Sequence, residues 1–363
     1  MMRKYSDDER AIIVLDSFVG LSKEQKLRVL QSVPRPSALL DGVCEELFEG
    51  NKKINEATLK GLKALFASGA VNQIISELEK NGIEAITCIS DDFPDKLLEI
   101  PAPPIILYCK GNTELLKSKH AFSIVGSRKT LPEVLARTRE FAENLSKEGV
   151  TLVTGLAEGV DAEVIKGAIG SSNIISVLPC GFKHVYPEFH FKLFERVCES
   201  GLAVSEYNPD VVCKPYFFPE RNRIIAAVGD GVLVTSAGRK SGTSYTADFA
   251  NEYGKSVFAF PYNIGVPSGE GCNAMIKEYA LLCDSVEDIF FHLGITRTNK
   301  MKKQPLSEIE AKVFAIIKEG EIHIDELIAK TDMKVFELTP VLSMLEIKKY
   351  VVKNPGNSYS SVK

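Results

Sequence analysis

Between residues 122 and 288, short apolar runs alternate with stretches of helical periodicity, and only a few residues connect them. This alternation restricts the fold more than any other feature of the chain. Strand–helix repeats with short links close as a parallel sheet covered on both faces by right-handed crossovers. Strands are expected at 122–125, 151–155, 174–179, 202–206, 231–237, 257–261 and 281–284. These runs are nearly continuous in Val, Ile and Leu, as burial on both faces requires. Helices are expected at 132–148, 159–169, 188–200, 219–228, 242–253, 271–279 and 285–294.

The class that follows is α/β: a Rossmann-like, doubly wound, mostly parallel sheet, expected to occupy residues 81–295. Ahead of it, residues 1–80 carry Ile12, Ile13, Leu15, Phe18, Leu27, Leu30, Leu59, Leu62 and Phe66 at helical spacings, punctuated by Gly20, Pro34, Pro36, Gly42 and Gly50. They read as a small all-helical domain. Ile83 to Ile89 and Ile105 to Tyr108 are strand-like, with the Pro101–Pro104 break between them. Residues 296–304 are polar and basic and read as a linker. In 305–363, Ser307 and Glu310 form a capping box for a helix with Ile309, Val313, Ile316 and Ile317 on one face. A short helix near 324–330 and a third through Leu338, Leu342 and Leu345 follow. Pro355-Gly356-Asn357 then signals a hairpin. Three helices plus a hairpin is the winged-helix plan, in which Pro340 fits best in a first turn.

The functional signal lies at the expected strand ends, where ligands bind in open α/β sheets. Gly126-Ser127-Arg128 follows the first strand, giving a tight turn, a hydroxyl and a guanidinium matched to phosphate. Thr154-Gly155-Leu156-Ala157-Glu158-Gly159-Val160-Asp161 is a second glycine-rich turn, with Asp161 expected to shape it. Ser241-Gly242-Thr243 opens a later helix with hydroxyls and free N–H groups. Such helix N-termini suit phosphate, although a strand-to-helix turn without ligand reads as well from any one of them. Lys214-Pro-Tyr-Phe217-Phe218-Pro-Glu-Arg221-Asn222-Arg223 interleaves cations with rings, as single-strand binding needs. Arg221 and Arg223 cannot face the same way on a helix. One is expected at a ligand and the other at a carboxylate such as Glu206.

Charge supports only a local nucleic-acid surface, because the 363-residue chain has a net charge of -4. Residues 214–240 hold five basic residues against Glu220 and Asp230. The eight cysteines and five histidines show no metal-ligand or triad spacing, and the cysteines read as reduced, mostly buried thiols of a cytoplasmic protein. Neither a signal peptide nor a membrane-length apolar run is evident. Gly238-Arg-Lys-Ser241 lacks Walker A spacing, so no ATP hydrolysis, metal or cofactor is expected.

Taken in order, Ile-Val-Gly-Ser-Arg128, Thr154-Gly-Leu-Ala-Glu-Gly-Val-Asp161-Ala, Val-Leu-Pro-Cys180-Gly, Phe218-Pro-Glu-Arg-Asn-Arg223-Ile-Ile-Ala, Ser241-Gly-Thr-Ser-Tyr-Thr-Ala and Phe258-Ala-Phe-Pro261 resemble the DNA-processing protein A family (DprA, also called Smf). The resemblance is close over about 83–290 and looser outside. It implies a non-catalytic, cytoplasmic homodimer that binds single-stranded DNA and loads the RecA recombinase in natural transformation and recombination. It places DNA on Gly126, Ser127, Arg128, Lys214, Phe217, Arg221, Asn222, Ser241, Gly242 and Thr243, and Gly155 and Arg223 are expected at the DNA beside them. The chain departs from the family's usual residues at Thr154, Ile165, Thr235-Ser236 and Tyr262.

Two other readings stay open. The same sheet type occurs in nucleotide phosphoribohydrolases, where a Gly-Gly-x-Gly-Thr-x-x-Glu motif places a catalytic carboxylate. Aligning Gly242-Thr243 on that motif puts Thr246 at the carboxylate's position, leaving acid–base chemistry without an agent. A nucleotide-sensing module signalling through its winged helix is the third reading. In the winged helix, Glu337 and Glu346 make the third helix a poor major-groove reader.

Overall fold

The computed structural model describes residues 3–42, 56–296, 306–348 and 350–361. The chain divides into two compact units, Met1–Thr296 and Arg297–Lys363.

The first unit opens with helices α1 (Asp7–Ser17), α2 (Lys23–Ser32), α3 (Ala38–Asp41), α4 (Glu56–Ala67) and α5 (Val71–Lys80). Capping boxes at Ser6/Glu9 and Ser22/Gln25 start α1 and α2 by satisfying N–H groups that a helix end leaves free. Leu15, Leu21, Val29, Leu39, Leu62 and Phe66 form a core among these helices. The other side of α1 is also committed: Ile12 and Ile13 are buried in the same core as Phe122 and Ile124 of the sheet.

The sheet region follows as β1 (Glu84–Thr87), α6 (Asp95–Leu98), β2 (Ile106–Gly111), β3 (Ala121–Gly126), α7 (Pro132–Lys147), β4 (Thr151–Thr154), α8 (Val160–Ala168), β5 (Ile174–Leu178), α9 (Phe191–Ser200), β6 (Leu202–Ser205), α10 (Phe217–Val228), β7 (Gly231–Ser236), α11 (Ser244–Glu252), β8 (Ser256–Ala259), α12 (Glu270–Glu278), β9 (Leu281–Leu282) and α13 (Val286–Leu293). Nine strands lie in the order β1-β2-β6-β5-β4-β3-β7-β8-β9. Every pair from β6 to β9 is parallel, whereas β1–β2 and β2–β6 are antiparallel. The sheet is therefore α/β, mostly parallel and doubly wound. From β3 the chain steps outward through β4, β5 and β6, then returns to β7 on the other side of β3. The strand order reverses there, so β3 and β7 flank the crevice of the sheet.

Three expected helix starts shift by two or three residues, the 242–253 helix beginning at Ser244. The 188–200 helix begins at Phe191, after a 3-10 turn at Glu188–His190. The helix expected from Pro219 begins at Phe217, with Pro219 as its third residue, still in the first turn where a missing N–H costs nothing.

The second unit contains α14 (Glu308–Lys318), β10 (Ile322–His323), α15 (Ile324–Thr331), α16 (Val335–Ile347), β11 (Val351–Asn354) and β12 (Ser358–Ser361), with the strands ordered β10-β12-β11. This is a winged helix. The Ser307/Glu310 capping box is formed, and Val313 and Ile317 are buried. Ile309 instead lies 54 % exposed, so the expected apolar stripe is narrower than its spacing suggests. Pro340 is the sixth residue of α16 and not in its first turn. The 296–304 linker lies, beyond Thr296, outside the described residues.

Candidate nucleic-acid interface

A cleft of about 340 Å³ opens at the carboxyl ends of β3 and β7. It is lined from four directions: Gly126, Ser127 and Arg128 after β3; Ala157 and Asp161 entering α8; Phe218, Arg221, Asn222 and Ile225 on α10; and Ser241, Gly242, Thr243 and Thr246 entering α11. The size falls in the range of small-ligand pockets, roughly 300–1,000 Å³. The N-termini of α8, α10 and α11 carry no side-chain cap hydrogen bond. Several first-turn N–H groups are already donated, Val160 to the Ser127 carbonyl, Phe217 to that of Lys214 and Ser244 to that of Ser241, so what the helix ends on the cleft wall offer an anion is chiefly their positive dipole ends.

The turn after β3 is held from behind. Ser127 donates its backbone N–H to the Ser236 carbonyl at 2.9 Å, and its hydroxyl to the same oxygen at 3.2 Å. Gly159 packs against it at φ +82°, where a Cβ would lie 2.5 Å from the Arg128 carbonyl oxygen and 2.6 Å from that of Ser127. Only glycine fits such an approach at that backbone angle. Arg128 itself is exposed, and its guanidinium lies over the ring of Phe218, 4.9 Å from the centroid. A cation resting on a ring is attracted by the ring's negative face and keeps its N–H edges free for phosphate.

The two arginines of α10 part as helical geometry demands. Arg221 is buried and lines the cleft floor; it donates to the Val177 carbonyl and, at 3.1 Å, to Asn222 Oδ1. Gly155 leaves room for it and for Asp161: a Cβ there would lie 2.3 Å from Asp161 Oδ2 and 2.7 Å from Arg221 Nη1. Burial pushes the Asp161 carboxyl upward against the pull of Arg221, and burial lowers the Arg221 guanidinium against the pull of Asp161. Asp161 Oδ2 also accepts the Ala157 N–H at 3.2 Å, which fixes the 155–159 turn. Arg223 points away from the cleft and donates to Glu206 at 2.5 Å. Lys23 of α2 joins the same carboxylate at 2.7 Å and Glu220 at 3.2 Å.

Of the residues expected to meet DNA, Gly126, Ser127, Arg128, Arg221, Asn222, Ser241, Gly242 and Thr243 come together on the cleft wall. The others do not line it. Gly155 sits behind Asp161 and Arg221, and Arg223 is turned to Glu206. Phe217 is buried against Tyr207, with ring centroids 4.2 Å apart. Lys214 is exposed outside the cleft, 5.9 Å from the rings of Tyr216 and Phe217. The side chain that sequence reasoning passed over is Phe218. Its signal was available: 218, 221, 222 and 225 follow the i, i+3, i+4, i+7 spacing of one helix face, which excludes 217 and 223.

Gly269-x-Gly271 is a packing device, since a Cβ on Gly271 would lie 2.5 Å from the Gly238 carbonyl oxygen. Tyr262 donates its hydroxyl to the Thr235 carbonyl at 2.6 Å, joining two of the departures from the family pattern behind the cleft. Among the described residues, no group of three or more His, Cys, Asp or Glu could hold a metal ion, and no helix is long and apolar enough to cross a membrane.

Residues 84–294 match the family model described as DNA recombination-mediator protein A, and 297–357 match the DprA winged helix domain. Protein Smf of Synechocystis sp. is 30% identical over 327 residues, covering 79% of this chain and 82% of that one. DNA processing protein DprA of Bacillus subtilis is 31% identical over 222 residues, covering 61% of this chain and 75% of that one. The X-ray structure of DprA from Streptococcus pneumoniae superimposes with a TM-score of 0.67 at 27% identity, over 80% of this chain and 98% of that one. A Helicobacter pylori structure, described for its single-stranded DNA binding mode, gives 0.53 at 29% identity, over 58% and 95%.

Proposed function

The chain belongs to the DNA recombination-mediator protein A family, and from that premise we propose that it binds single-stranded DNA in the β3/β7 cleft and loads the RecA recombinase onto it. It acts as a cytoplasmic homodimer and catalyses no reaction on the DNA. The observation that carries the reading is the Arg128–Phe218 pair on the wall of a cleft that is also lined by the residues entering α8 and α11. Charge for the backbone and a ring for a base stand side by side, which is what sequence-tolerant single-strand binding requires. The family's DNA-processing relatives, and the single-stranded DNA named for the Helicobacter pylori protein, support it.

Two experiments test the proposal. In a mobility shift, unlabelled single strand should displace a labelled single strand, and duplex should not. RecA ATP hydrolysis on DNA already coated with a single-strand-binding protein should rise when this protein is added. If duplex competes equally, the single-strand reading fails; if RecA is not stimulated, the loading role fails. The division at residues 80, 295 and 304 is part of the same proposal, and limited proteolysis tests it.

One observation favours a second reading. Asp161 gives the cleft a carboxylate whose proton affinity burial raises, a property suited to acid–base work. A nucleotide hydrolase would release free base from a nucleoside monophosphate and lose that activity on Asp161→Asn.

A further inference from the structure

Next to the cleft, three large rings stand in water within six residues: Tyr186 is 45 % exposed, Phe189 70 % and Phe191 48 %. Burying a side chain of this size would stabilise the fold by roughly 1.5–3 kcal/mol, so folding alone does not favour leaving them out. Single exposed rings are ordinary, but Tyr186 touches a ring of the cleft wall, and Phe189 leads through His190 to Leu156, next to the cleft residue Ala157. The Tyr186 ring meets Phe218 edge-on, with centroids 5.6 Å apart at 79°. Phe218 is the ring that carries Arg128. Phe189 lies 4.6 Å from the ring of His190 at 74°, and His190 Nδ1 is 2.9 Å from the carbonyl oxygen of Leu156 in the turn before α8. One ring therefore extends the α10 wall, and the other stands beside the turn that enters α8.

We propose that Tyr186 and Phe189 form a second base-stacking platform, which carries a single strand out of the cleft after Arg128 and Phe218 have engaged it. This rests on the single-strand reading above and adds the strand's exit path to it. The occupant is a run of nucleobases and not a protein surface. Tyr186 is continuous with the Arg128–Phe218 pair, and polar side chains stand among the rings, Glu188 and His190 between them and His184 and Lys192 on either flank. Isolated rings separated by such residues suit successive bases, each of which offers a π-face, better than a closed apolar protein contact.

The chain has no tryptophan, so Phe189→Trp installs a single reporter at the platform. The probes are oligo-dT of about 4 and about 16 nucleotides, spanning the site sizes usual for single-strand grooves. The long oligomer should quench the tryptophan and the short one should not. Phe189→Ala, which removes a mostly exposed ring, should bind the short oligomer as wild type does and the long one about tenfold more weakly. Unquenched tryptophan with normal long-oligomer binding, or Phe189→Ala binding both lengths as wild type does, overturns the platform and leaves the cleft reading standing. Equal loss on both lengths also overturns it, because Phe189 would then support the cleft itself. If wild type binds neither oligomer, the platform and the single-strand reading fall together.

Discussion

Arg128 lies over the ring of Phe218, 4.9 Å from guanidinium carbon to ring centroid. The contact holds the cation at the cleft mouth before any ligand arrives, so less side-chain freedom is lost on binding. Phe218→Ala should therefore weaken single-strand binding even where no base touches residue 218. Phe218→Tyr keeps a ring under Arg128 and should retain most of the affinity. Titrations of the two variants check this; equal losses would show that the ring's face is not what matters.

Arg223 and Glu206 are a buried pair, with side chains 10% and 5% exposed. Removing one member strands the other, at a cost of about 3–5 kcal/mol. Glu206→Ala should lower the free energy of unfolding by that much. Lys23→Ala, at a half-exposed partner of the same carboxylate, should cost less than about 1 kcal/mol. Chemical denaturation of both variants measures the difference.

Gly159 and Gly242 separate structural glycines from accessible ones. Gly159→Ala meets both a positive φ and the carbonyls of Ser127 and Arg128, so it should cost at least about 1–3 kcal/mol and displace Arg128. A Cβ on Gly242 meets nothing within 4 Å. Gly242→Ala should leave the melting temperature unchanged, and Gly242→Leu should obstruct the cleft. Thermal melts paired with binding isotherms test both positions.

Three buried thiols and the half-buried Cys198 make the fold sensitive to alkali. Burial pushes Cys180, Cys198, Cys272 and Cys283 up to about 12 from the usual 9.0. Unfolded thiols release their protons near 9, while folded ones hold them, so this contribution is complete below pH 9 and disappears between 9 and 12. Melting temperature should fall from about pH 8 to about pH 10, and less steeply in Cys272→Ala. Native protein should resist thiol alkylation at these four positions until it unfolds.

The strand–helix alternation made the sheet legible, because burial on both faces leaves uninterrupted apolar runs that few other structures produce. The antiparallel placement of β1 and β2 was not legible, since pairing direction leaves no mark on runs as short as Ile83 to Ile89. Within the cleft, Gly126, Ser127, Arg128, Ser241, Gly242 and Thr243 announced themselves as strand-to-helix turns. Phe217 and Lys214 came from family resemblance, and the structure places them beside the cleft. Phe218 and Phe217 differ by 100° around α10, and adjacent rings in a sequence do not say which one faces out. Helical geometry already sent one of Arg221 and Arg223 to a carboxylate such as Glu206; which of the two it is follows from the packing of α10, which turns Arg223 to Glu206.

The most direct measurement is the salt dependence of oligo-dT binding, by fluorescence anisotropy, for wild type and Arg128→Ala. Each phosphate neutralised on a single strand contributes about −0.7 to the log–log slope. Wild type should bind with a steep slope, and Arg128→Ala should bind more weakly with a slope flatter by about 0.7, one phosphate contact. Equal slopes and equal affinities for the two proteins would contradict the assignment of the β3/β7 cleft as the DNA site.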